Sequence, residues 1–243
     1  MIYVSTHAGK RHSISEDAVL VGSEVLTETS DTLPMPECGF ICVADGVGGN
    51  LGGDQASRYV LGELSKHQET DEVDLAGLLK EINKSLIASA ATAGNATDMA
   101  TTLTGFYVKD GQFRLIHIGN TRAYIKQGKY LKQITSDHTT YNWLLSSGQV
   151  EAAQNCNRSE ITNCFGGNNP ALLSKLLICD CQQFTLALLT SDGVHEYVDL
   201  DSLEEIITSE GLMSDKCEEI ARRAVAAGSE DDISVVVICP SEK

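Results

Sequence analysis

The segment from Thr101 to Ile134 restricts the fold most strongly, because it contains β-rich runs separated only by short turns. The turns are Lys109-Asp110-Gly111, Gly119-Asn120 and Gln127-Gly128. Asp-Gly and Asn-containing turns between such runs are typical of β-hairpins. Short turns join antiparallel neighbours, whereas parallel strands need a long crossover connection. The segment therefore predicts an antiparallel meander rather than a doubly wound βαβ array.

The rest of the chain alternates between helical and strand patterns. Ala56, Val60 and Leu64 recur every four residues in an amphipathic helix at 53–67, and a similar stripe marks a second helix at about 73–92. Further predicted elements are strands at 2–8, 18–26, 40–44, 174–179, 185–190 and 233–239, helices at about 201–208 and 214–227, and a loop at 24–37. Residues at about 137–170 are polar and are interpreted as a flap. These patterns predict a single α+β domain over residues 1–243.

Composition and charge exclude several classes of function. The net charge is −16, and an acidic surface repels nucleic acid and anionic membranes. No apolar run approaches the roughly 18 residues that a membrane helix needs, and the N-terminal sequence MIYVSTHAGK lacks the apolar core of a signal peptide. The eight cysteines include no C-x-x-C pair, which favours free thiols over a zinc site. We therefore expect a cytoplasmic protein with no nucleic-acid or membrane partner.

Acidic residues stand at four predicted strand boundaries: Glu16-Asp17, Asp45, Asp192 and Asp231-Asp232. Two of these boundaries share the form strand–Asp–Gly–Val, in VADGV and TSDGV. Each one alone is common in surface turns, but carboxylates that converge at one end of a sheet repel each other and raise each other's pKa. Two divalent ions about 3.5–4 Å apart are the usual solution in hydrolases that act on phosphate. Asp17, Asp45, Asp192 and Asp231 would balance the charge of two such ions.

A run of glycines follows Asp45 in the sequence ADGVGGNLGGD. Glycines let the backbone turn tightly and approach a ligand closely, and a carboxylate beside exposed carbonyls suits a hard cation. A plain turn is an alternative for this stretch taken alone. A nucleotide-phosphate cradle is another, but the lysine and hydroxyl of a P-loop are missing.

Eight motifs then occur in a specific order: SEDA, VADGVGG, GGDQAS, ATTLT, HIGNTR, ITSDHT, LLTSDGV and EDDISVVVI. Together they resemble the metal-dependent Ser/Thr protein phosphatases of type 2C, the PPM family, in its compact bacterial form, over nearly the whole chain. The resemblance implies a sandwich of two antiparallel sheets flanked by helices in four α-β-β-α layers. It also implies a centre of two Mn²⁺ or Mg²⁺ ions and hydrolysis of phosphoserine or phosphothreonine in proteins by a metal-activated hydroxide.

The resemblance also implies a role for each matching position. Asp45 would bridge both ions, and the Gly46 carbonyl would bind one of them. Asp17 would act on the side of that same ion, partly through water, while Asp192 and Asp231 would hold the other ion. Asp45, Asp192 and Asp231 are the expected catalytic residues, and no protein nucleophile is implied. The partners implied are phosphoprotein substrates and a cognate Ser/Thr kinase.

The substrate-binding position departs from the family pattern. The family's phosphate-binding arginine is replaced by His12, with Arg11 beside it, and Ser15 replaces the usual asparagine. We predict that Arg11 makes the main contact with the substrate phosphate, because a guanidinium offers a permanent charge and two parallel donors. His12 is the alternative. Val47 stands where some eukaryotic members have a histidine proposed as general acid.

A second departure concerns a third metal ion. The family's Gly-Asp-Ser-Arg is here Gly119-Asn120-Thr121-Arg122. Asn120 would form, with Asp192, only a weak third site, and Asp137 is the nearest carboxylate in sequence that could compensate. We therefore predict two ions and a third that is weak or absent. Because His12 and Asn120 depart from the family, a pseudo-phosphatase or phosphoprotein-binding regulator without turnover is the alternative function.

Overall fold

Two antiparallel β-sheets of six strands each face one another in the computed structural model, and helices cover their outer faces. The structure describes residues 1–47, 52–68, 74–92 and 99–240. Gly48 and Gly49, part of the glycine run considered as a phosphate cradle, lie outside the described residues. The architecture confirms the predicted α+β sandwich in four α-β-β-α layers.

The described strands are, in chain order, β1 (Ile2–His7), β2 (Ala18–Val21), β3 (Glu24–Leu26), β4 (Thr29–Leu33), β5 (Cys38–Ala44), β6 (Ala100–Thr101), β7 (Leu103–Lys109), β8 (Gln112–Ile118), β9 (Arg122–Gln127), β10 (Tyr130–Gln133), β11 (Phe165–Gly166), β12 (Leu177–Cys181), β13 (Ala187–Thr190) and β14 (Ile233–Ile238). The described helices are α1 (Gly53–Leu64), α2 (Leu75–Thr92), α3 (Thr140–Ser146), α4 (Val150–Asn155), α5 (Asp192–His195), α6 (Leu200–Thr208) and α7 (Met213–Ala226), with a 3₁₀ helix at Pro170–Lys175. One sheet has the order β10-β9-β13-β14-β1-β4 and the other β12-β8-β7-β5-β2-β3, while β6 pairs with β11.

The central strands are buried on both faces, which explains why they are continuous apolar runs rather than alternating ones. In β5, Ile41 and Val43 belong to the core between the sheets, whereas Phe40 and Cys42 pack on the opposite side with α1 and α2. In β14, Val236 faces the core between the sheets, and the neighbouring valines pack with α6 and α7. Side chains that alternate between two hydrophobic layers fix the register of each strand.

The loop predicted at 24–37 is wrong, because this segment contains β3 and β4. Strand β4 pairs with β1 at the edge of its sheet, in a register that places Ile2 opposite Leu33. Ser30, Asp31 and Thr32 are exposed. An edge strand that exposes most of its side chains has a polar composition, which hides it from a search for apolar runs.

The predicted single meander is also corrected. Strands β7 and β8 form a hairpin in one sheet, whereas β9 and β10 form a hairpin in the other. The Gly119-Asn120 turn therefore carries the chain from one sheet to the other. Gly119 has a φ of 107°, which a side chain rarely adopts, and an added Cβ would lie 2.5 Å from the Thr102 side chain. The close approach between Gly119 and Thr102 continues the pairing of β7 and β8 and leaves no room for a side chain at this turn.

The segment interpreted as a flap leaves the sandwich after β10 and contains α3 and α4. Thr139 caps α3 by accepting a hydrogen bond from the backbone N–H of Asn142 at 3.3 Å. The chain returns at β11, where Phe165 is fully buried and pairs with Thr101. The strand predicted at 174–179 begins later, at Leu177, because Pro170–Lys175 forms the 3₁₀ helix. Within the described residues, no helix is long and apolar enough to cross a membrane.

Candidate active site

Four strand boundaries meet at one end of the sandwich. Asp45 follows β5 and Asp17 precedes β2, and these strands pair so that Ala44 lies opposite Ala18. Asp192 follows β13 and Asp231 precedes β14, which pair in the other sheet. Asp45, Asp192 and Asp231 line one cleft of about 580 Å³. The other lining residues are Arg11, His12, Glu16, Gly46 and Val47, with Ser159, Glu160 and Ile161 from the flap segment.

The four aspartates lie close to one another; Asp17 is buried, whereas Asp45, Asp192 and Asp231 are half-buried. Burial raises the pKa of Asp45 well above its ordinary range, and the negative charges of Asp192 and Asp17 add to the effect. Burial also raises the pKa of Asp17, although hydrogen bonds with Ser191 and Ser234 partly offset it. Burial and the charge of Asp231 raise the pKa of Asp192 to about 6. A cation would remove the repulsion that these shifts express.

Several oxygen atoms at this end are buried without a hydrogen-bond donor. Among the described residues these atoms include Asp17 Oδ2, Glu16 Oε2 and Asn120 Oδ1. A buried oxygen without a partner is costly. Carboxylate and carbonyl oxygens are the ligands that Mg²⁺ and Mn²⁺ prefer. The residues present therefore fit a centre of hard divalent cations.

The backbone of Gly46 also lines the cleft beside these carboxylates. Its N–H donates to the Glu16 carbonyl at 3.1 Å, and it forms a β-bridge with Thr101. A Cβ added at this position would lie 2.5 Å from the backbone of Gly53, at the start of α1. Only glycine allows this approach between the end of β5 and helix α1.

Asp232 organises the N-terminal segment of the cleft, and the sequence analysis did not select it as a site residue. Its carboxylate accepts hydrogen bonds from the backbone N–H groups of Gly9 and Glu16, each at 2.7 Å, and contacts His12 Nδ1 at 2.9 Å. Asp232 is 4% exposed. The signal was present as the second carboxylate of the Asp231-Asp232 pair, but nothing in the sequence showed which of the two faces the cleft.

Arg11 and His12 both line the cleft although they are neighbours in sequence. Arg11 Nη1 donates to Asp231 Oδ2 at 2.8 Å, and about half of the Arg11 side chain is exposed. His12 is held through Nδ1 by Asp232, and its Nε2 lies 3.9 Å from Glu16. Burial lowers the pKa of His12, but its hydrogen bond with Asp232 and the nearby carboxylates outweigh burial, so the net shift is upward. Arg11 therefore brings a positive charge toward the carboxylates, and His12 is held among them.

Asn120 lies beside Asp192 and donates from Nδ2 to Asp192 Oδ2 at 2.9 Å. Asp137, the suggested compensating carboxylate, is bonded instead to Arg122. Arg122 donates from Nε and Nη2 to both oxygens of Asp137, at 2.6–3.1 Å. Asp137 also accepts from Gln133 at 3.3 Å. Its charge is thus already neutralised by a guanidinium.

The flap segment has polar contacts with the main body and within itself. Ser159 Oγ donates to Glu196 Oε1 of the main body at 2.7 Å, and within the flap the Thr162 N–H donates to the His138 carbonyl at 2.8 Å. The Arg158 guanidinium lies 4.8 Å from the centre of the Tyr141 ring, within range of a cation–π interaction. These contacts place Ser159, Glu160 and Ile161 at the wall of the cleft.

Known proteins are similar to this chain in both sequence and fold. Residues 32–229 match the family model described as protein phosphatase 2C. The chain is similar to the serine/threonine phosphatase stp of Listeria monocytogenes, with 29% identity over 222 residues that cover 87% of this chain and 86% of the relative. It is also similar to the protein phosphatase PhpP of Streptococcus pneumoniae, with 28% identity, covering 84% of this chain and 87% of the relative.

The fold is also similar to those of solved phosphatase structures. The crystal structure of the serine/threonine phosphatase Stp1 from Staphylococcus aureus superposes with a TM-score of 0.81 at 25% identity, covering 98% of this chain and 94% of that one. The predicted resemblance is confirmed, since the matched family model spans most of the sequence. The chain belongs to the protein phosphatase 2C family.

Proposed function

We propose that this protein is a metal-dependent protein phosphatase that hydrolyses phosphoserine and phosphothreonine in proteins. The observation that carries the proposal is the meeting of Asp17, Asp45, Asp192 and Asp231 at one end of the sandwich. The pKa values of Asp17, Asp45 and Asp192 are raised there, and Asp17 Oδ2 is buried without a hydrogen-bond donor. Bound cations would relieve the repulsion within such a cluster at neutral pH. The relatives from Listeria and Streptococcus are named phosphatases, which supports the same activity here.

Two divalent ions, Mn²⁺ or Mg²⁺, would be held by the cleft carboxylates. Asp45 is proposed to bind both ions, and its position near both Asp17 and Asp192, whose charges raise its pKa, supports this role. The Gly46 carbonyl and Asp17 would complete one side of the centre, and Asp192 and Asp231 the other. When bound, the ions supply an activated water and neutralise the charge of the phosphoryl group.

Other side chains of the protein would bind and position the substrate. Arg11 reaches the cleft from the N-terminal segment. Its Nη1 donates to Asp231, and the other N–H donors of the guanidinium would bind the phosphate oxygens. His12 has one ring nitrogen bonded to Asp232, so it has less donor capacity for substrate. Asp232 holds this segment in place without lining the cleft. The flap residues Ser159–Ile161 form the wall against which the phosphopeptide would lie.

A third ion is proposed to be weak or absent. Asn120 directs its N–H donor at Asp192, and its remaining Oδ1 is a neutral ligand in place of a carboxylate. Asp137 is already paired with Arg122. The site next to Asp192 therefore lacks the anionic ligands that a weak dication site needs.

We further propose one catalytic domain over residues 1–243 with its flap, acting in the cytoplasm opposite a cognate Ser/Thr kinase. All eight cysteines are free, which supports a reducing compartment. A phosphatase for phosphoserine and phosphothreonine requires a kinase that forms them. The alternative, a phosphoprotein-binding regulator without turnover, is opposed by the complete carboxylate set.

Release of phosphate from phosphoserine and phosphothreonine peptides, with and without Mn²⁺, tests the proposal. We expect turnover with Mn²⁺ or Mg²⁺ and none in chelator. A melting temperature raised by millimolar Mn²⁺ should accompany it, because the ions bind only the folded chain. Binding of phosphopeptide without any phosphate release in Mn²⁺ or Mg²⁺ would favour the regulator instead.

A further inference from the structure

A buried series of hydrogen bonds begins at the backbone of Asp45. The Asp45 N–H donates to Thr102 Oγ1 at 3.0 Å, and Thr101 Oγ1 donates to the Asp45 carbonyl at 2.9 Å. The Thr102 N–H also donates to the Asp45 carbonyl at 2.8 Å. Both threonines are fully buried. The backbone of Asp45 is therefore positioned by hydroxyl groups as well as by its strand.

The series continues through two threonines to a histidine. The Thr121 and Thr102 hydroxyl oxygens are 3.3 Å apart, and those of Thr104 and Thr121 are 2.6 Å apart. Thr104 Oγ1 lies 2.8 Å from His117 Nδ1. His117 is 1% exposed and does not line the cleft. It can therefore act only through the residues that it contacts.

The second ring nitrogen of His117 fixes the direction of its hydrogen bond with Thr104. His117 Nε2 lies 3.0 Å from the Ser136 carbonyl, which can only accept, so Nε2 carries the proton. Nδ1 is then the acceptor for the Thr104 hydroxyl. Burial lowers the pKa of His117, in agreement with a neutral ring. Ser136 is the last residue before the flap, so His117 joins Thr104 directly to the root of the flap.

His138 makes a parallel connection at the same root. Its Nδ1 accepts from the Gly119 N–H at 3.1 Å, and its own N–H donates to the Gly119 carbonyl at 2.8 Å. The rings of His117 and His138 lie side by side, with centres 4.8 Å apart. The turn that carries Asn120 is thereby held against the flap root.

Thr104 and His117 interrupt an otherwise apolar layer between the two sheets. Thr104 shares its strand face with Phe106 and Val108, which belong to the core between the sheets. His117, directly opposite Thr104 in the pairing of β7 and β8, shares its face with Leu115. Apolar residues would fill this space without the cost of burying polar groups. The layer becomes polar only where it approaches Asp45, which favours a role at the site.

We propose that His117 is a positioning residue for the phosphatase reaction, which couples the root of the flap to the backbone of Asp45 through Thr104, Thr121 and Thr102. The proposal rests on the proposed function, because it assigns Asp45 to the metal centre and the flap to the substrate. Misplacement of a catalytic group by about 1 Å can reduce turnover about a hundredfold. A short, fully buried series of bonds limits such displacement.

Two variants separate the two halves of the connection. In His117→Gln the side-chain amide N–H replaces Nε2–H and keeps the bond to Ser136, but Thr104 loses its acceptor. In His117→Asn the amide oxygen replaces Nδ1 and keeps the bond with Thr104, but the side chain is too short to reach Ser136. Trp143 in α3 is the only tryptophan of the sequence. Its quenching by acrylamide therefore reports on the flap independently of activity.

We expect His117→Gln to lower kcat about tenfold on both an aryl phosphate and a phosphopeptide, with KM and Trp143 quenching unchanged. We expect His117→Asn to keep kcat on the aryl phosphate within about twofold, to raise KM for the phosphopeptide several-fold, and to increase Trp143 quenching. Thr104→Val should behave like His117→Gln, and Thr104→Ser like the unaltered protein. These threonine variants decide the question if a histidine variant fails to fold.

Tyr107→Phe is the matched control, since it removes a hydroxyl in contact with Cys38 farther along the same strand as Thr104. It should lower stability without changing kcat or KM. The proposal is overturned if both His117 variants lose activity alike and in proportion to their melting temperatures, or if neither changes kcat, KM or quenching. An unaltered protein without turnover refutes the proposed function instead, while the quenching difference between the two variants still tests the link to the flap.

Discussion

Asn120 donates a hydrogen bond from its amide to the carboxylate of Asp192, at 2.9 Å, at the mouth of the proposed metal centre. A carboxylate at position 120 would turn this donor into an anionic ligand. We predict that Asn120→Asp creates a third site that binds Mn²⁺ at least about tenfold more tightly than the unaltered protein does there. Calorimetric titration should show a third equivalent, and anomalous scattering should locate it. Asn120→Ala is the control, because it removes the donor without adding charge. A fully occupied ion bound by Asn120 in the unaltered protein would contradict the prediction.

Replacement of Asp45 should affect activity and metal-free stability in opposite directions. Asp45→Asn removes an anion shared by two dications, so we predict a loss of turnover of at least about a hundredfold at saturating Mn²⁺. The same change removes a buried, repelled charge, as the raised pKa of Asp45 indicates, so the melting temperature in chelator should rise. Asp31→Asn, on the exposed edge strand β4, is the control for loss of one negative charge. A variant that keeps a tenth of normal turnover would exclude Asp45 as the bridge.

Stability of the metal-free protein should fall as pH rises through the range in which Asp192 ionises. Its pKa is about 6 in the folded state and 3.8 ordinarily, so the folded state binds the proton more tightly. Stability due to this proton is present at low pH and is lost between about pH 4 and pH 6. A histidine with a lowered pKa has the opposite effect on stability, which then rises with pH. His138 is such a residue, because burial lowers its pKa to about 4.

The comparison with Asp192→Asn isolates the carboxylate, because asparagine keeps an acceptor for Asn120 and does not ionise. In chelator, the difference in unfolding free energy between this variant and the unaltered protein should grow by on the order of 2–3 kcal/mol from pH 4 to pH 7. Urea titrations at fixed ionic strength would measure it. A constant difference across this range would show that Asp192 is not destabilised in the folded state.

Kinetic measurements on phosphopeptides distinguish whether Arg11 or His12 binds the substrate phosphate. We predict that Arg11→Ala raises KM about tenfold, because a guanidinium bonded to phosphate is worth roughly 1.5–3 kcal/mol. Arg11→Lys should recover only part of this, since it keeps the charge and loses the paired donors. His12→Ala should have the smaller effect on KM. A loss of substrate affinity in the histidine variant alone would assign the phosphate to His12.

The sequence predicted the buried elements well and the exposed ones poorly. Helices α1 and α2 and strand β14 occur close to where they were expected, because an apolar stripe or run records burial. Strand β4 was missed because an edge strand needs few apolar residues. The allocation of β7–β8 and β9–β10 to different sheets could not be predicted, since a short turn looks the same within a sheet and between sheets.

The candidate site shows the same division. The carboxylates stand in the sequence at strand ends, and the family resemblance assigned the metal ligands to them. The partners of the polar side chains were not visible, because they come from distant segments. Asp232 bonds to Gly9, His12 and Glu16 across the chain. Asp137 was considered as a metal ligand, but it pairs with Arg122. Which partner it has depends on the side of the turn that each side chain faces, and the sequence does not show this.

Strand β14 lies between β13 and β1 in the interior of its sheet, although it is the last strand of the chain that the structure describes. Just before it stand Asp231, a proposed metal ligand bonded to Arg11, and Asp232, which holds the N-terminal segment. During synthesis on the ribosome, β1 can pair with β4, but its other edge stays unpaired until β14 has been made. Under the proposed function, a chain terminated before β14 would lack Asp231 and therefore a complete catalytic centre.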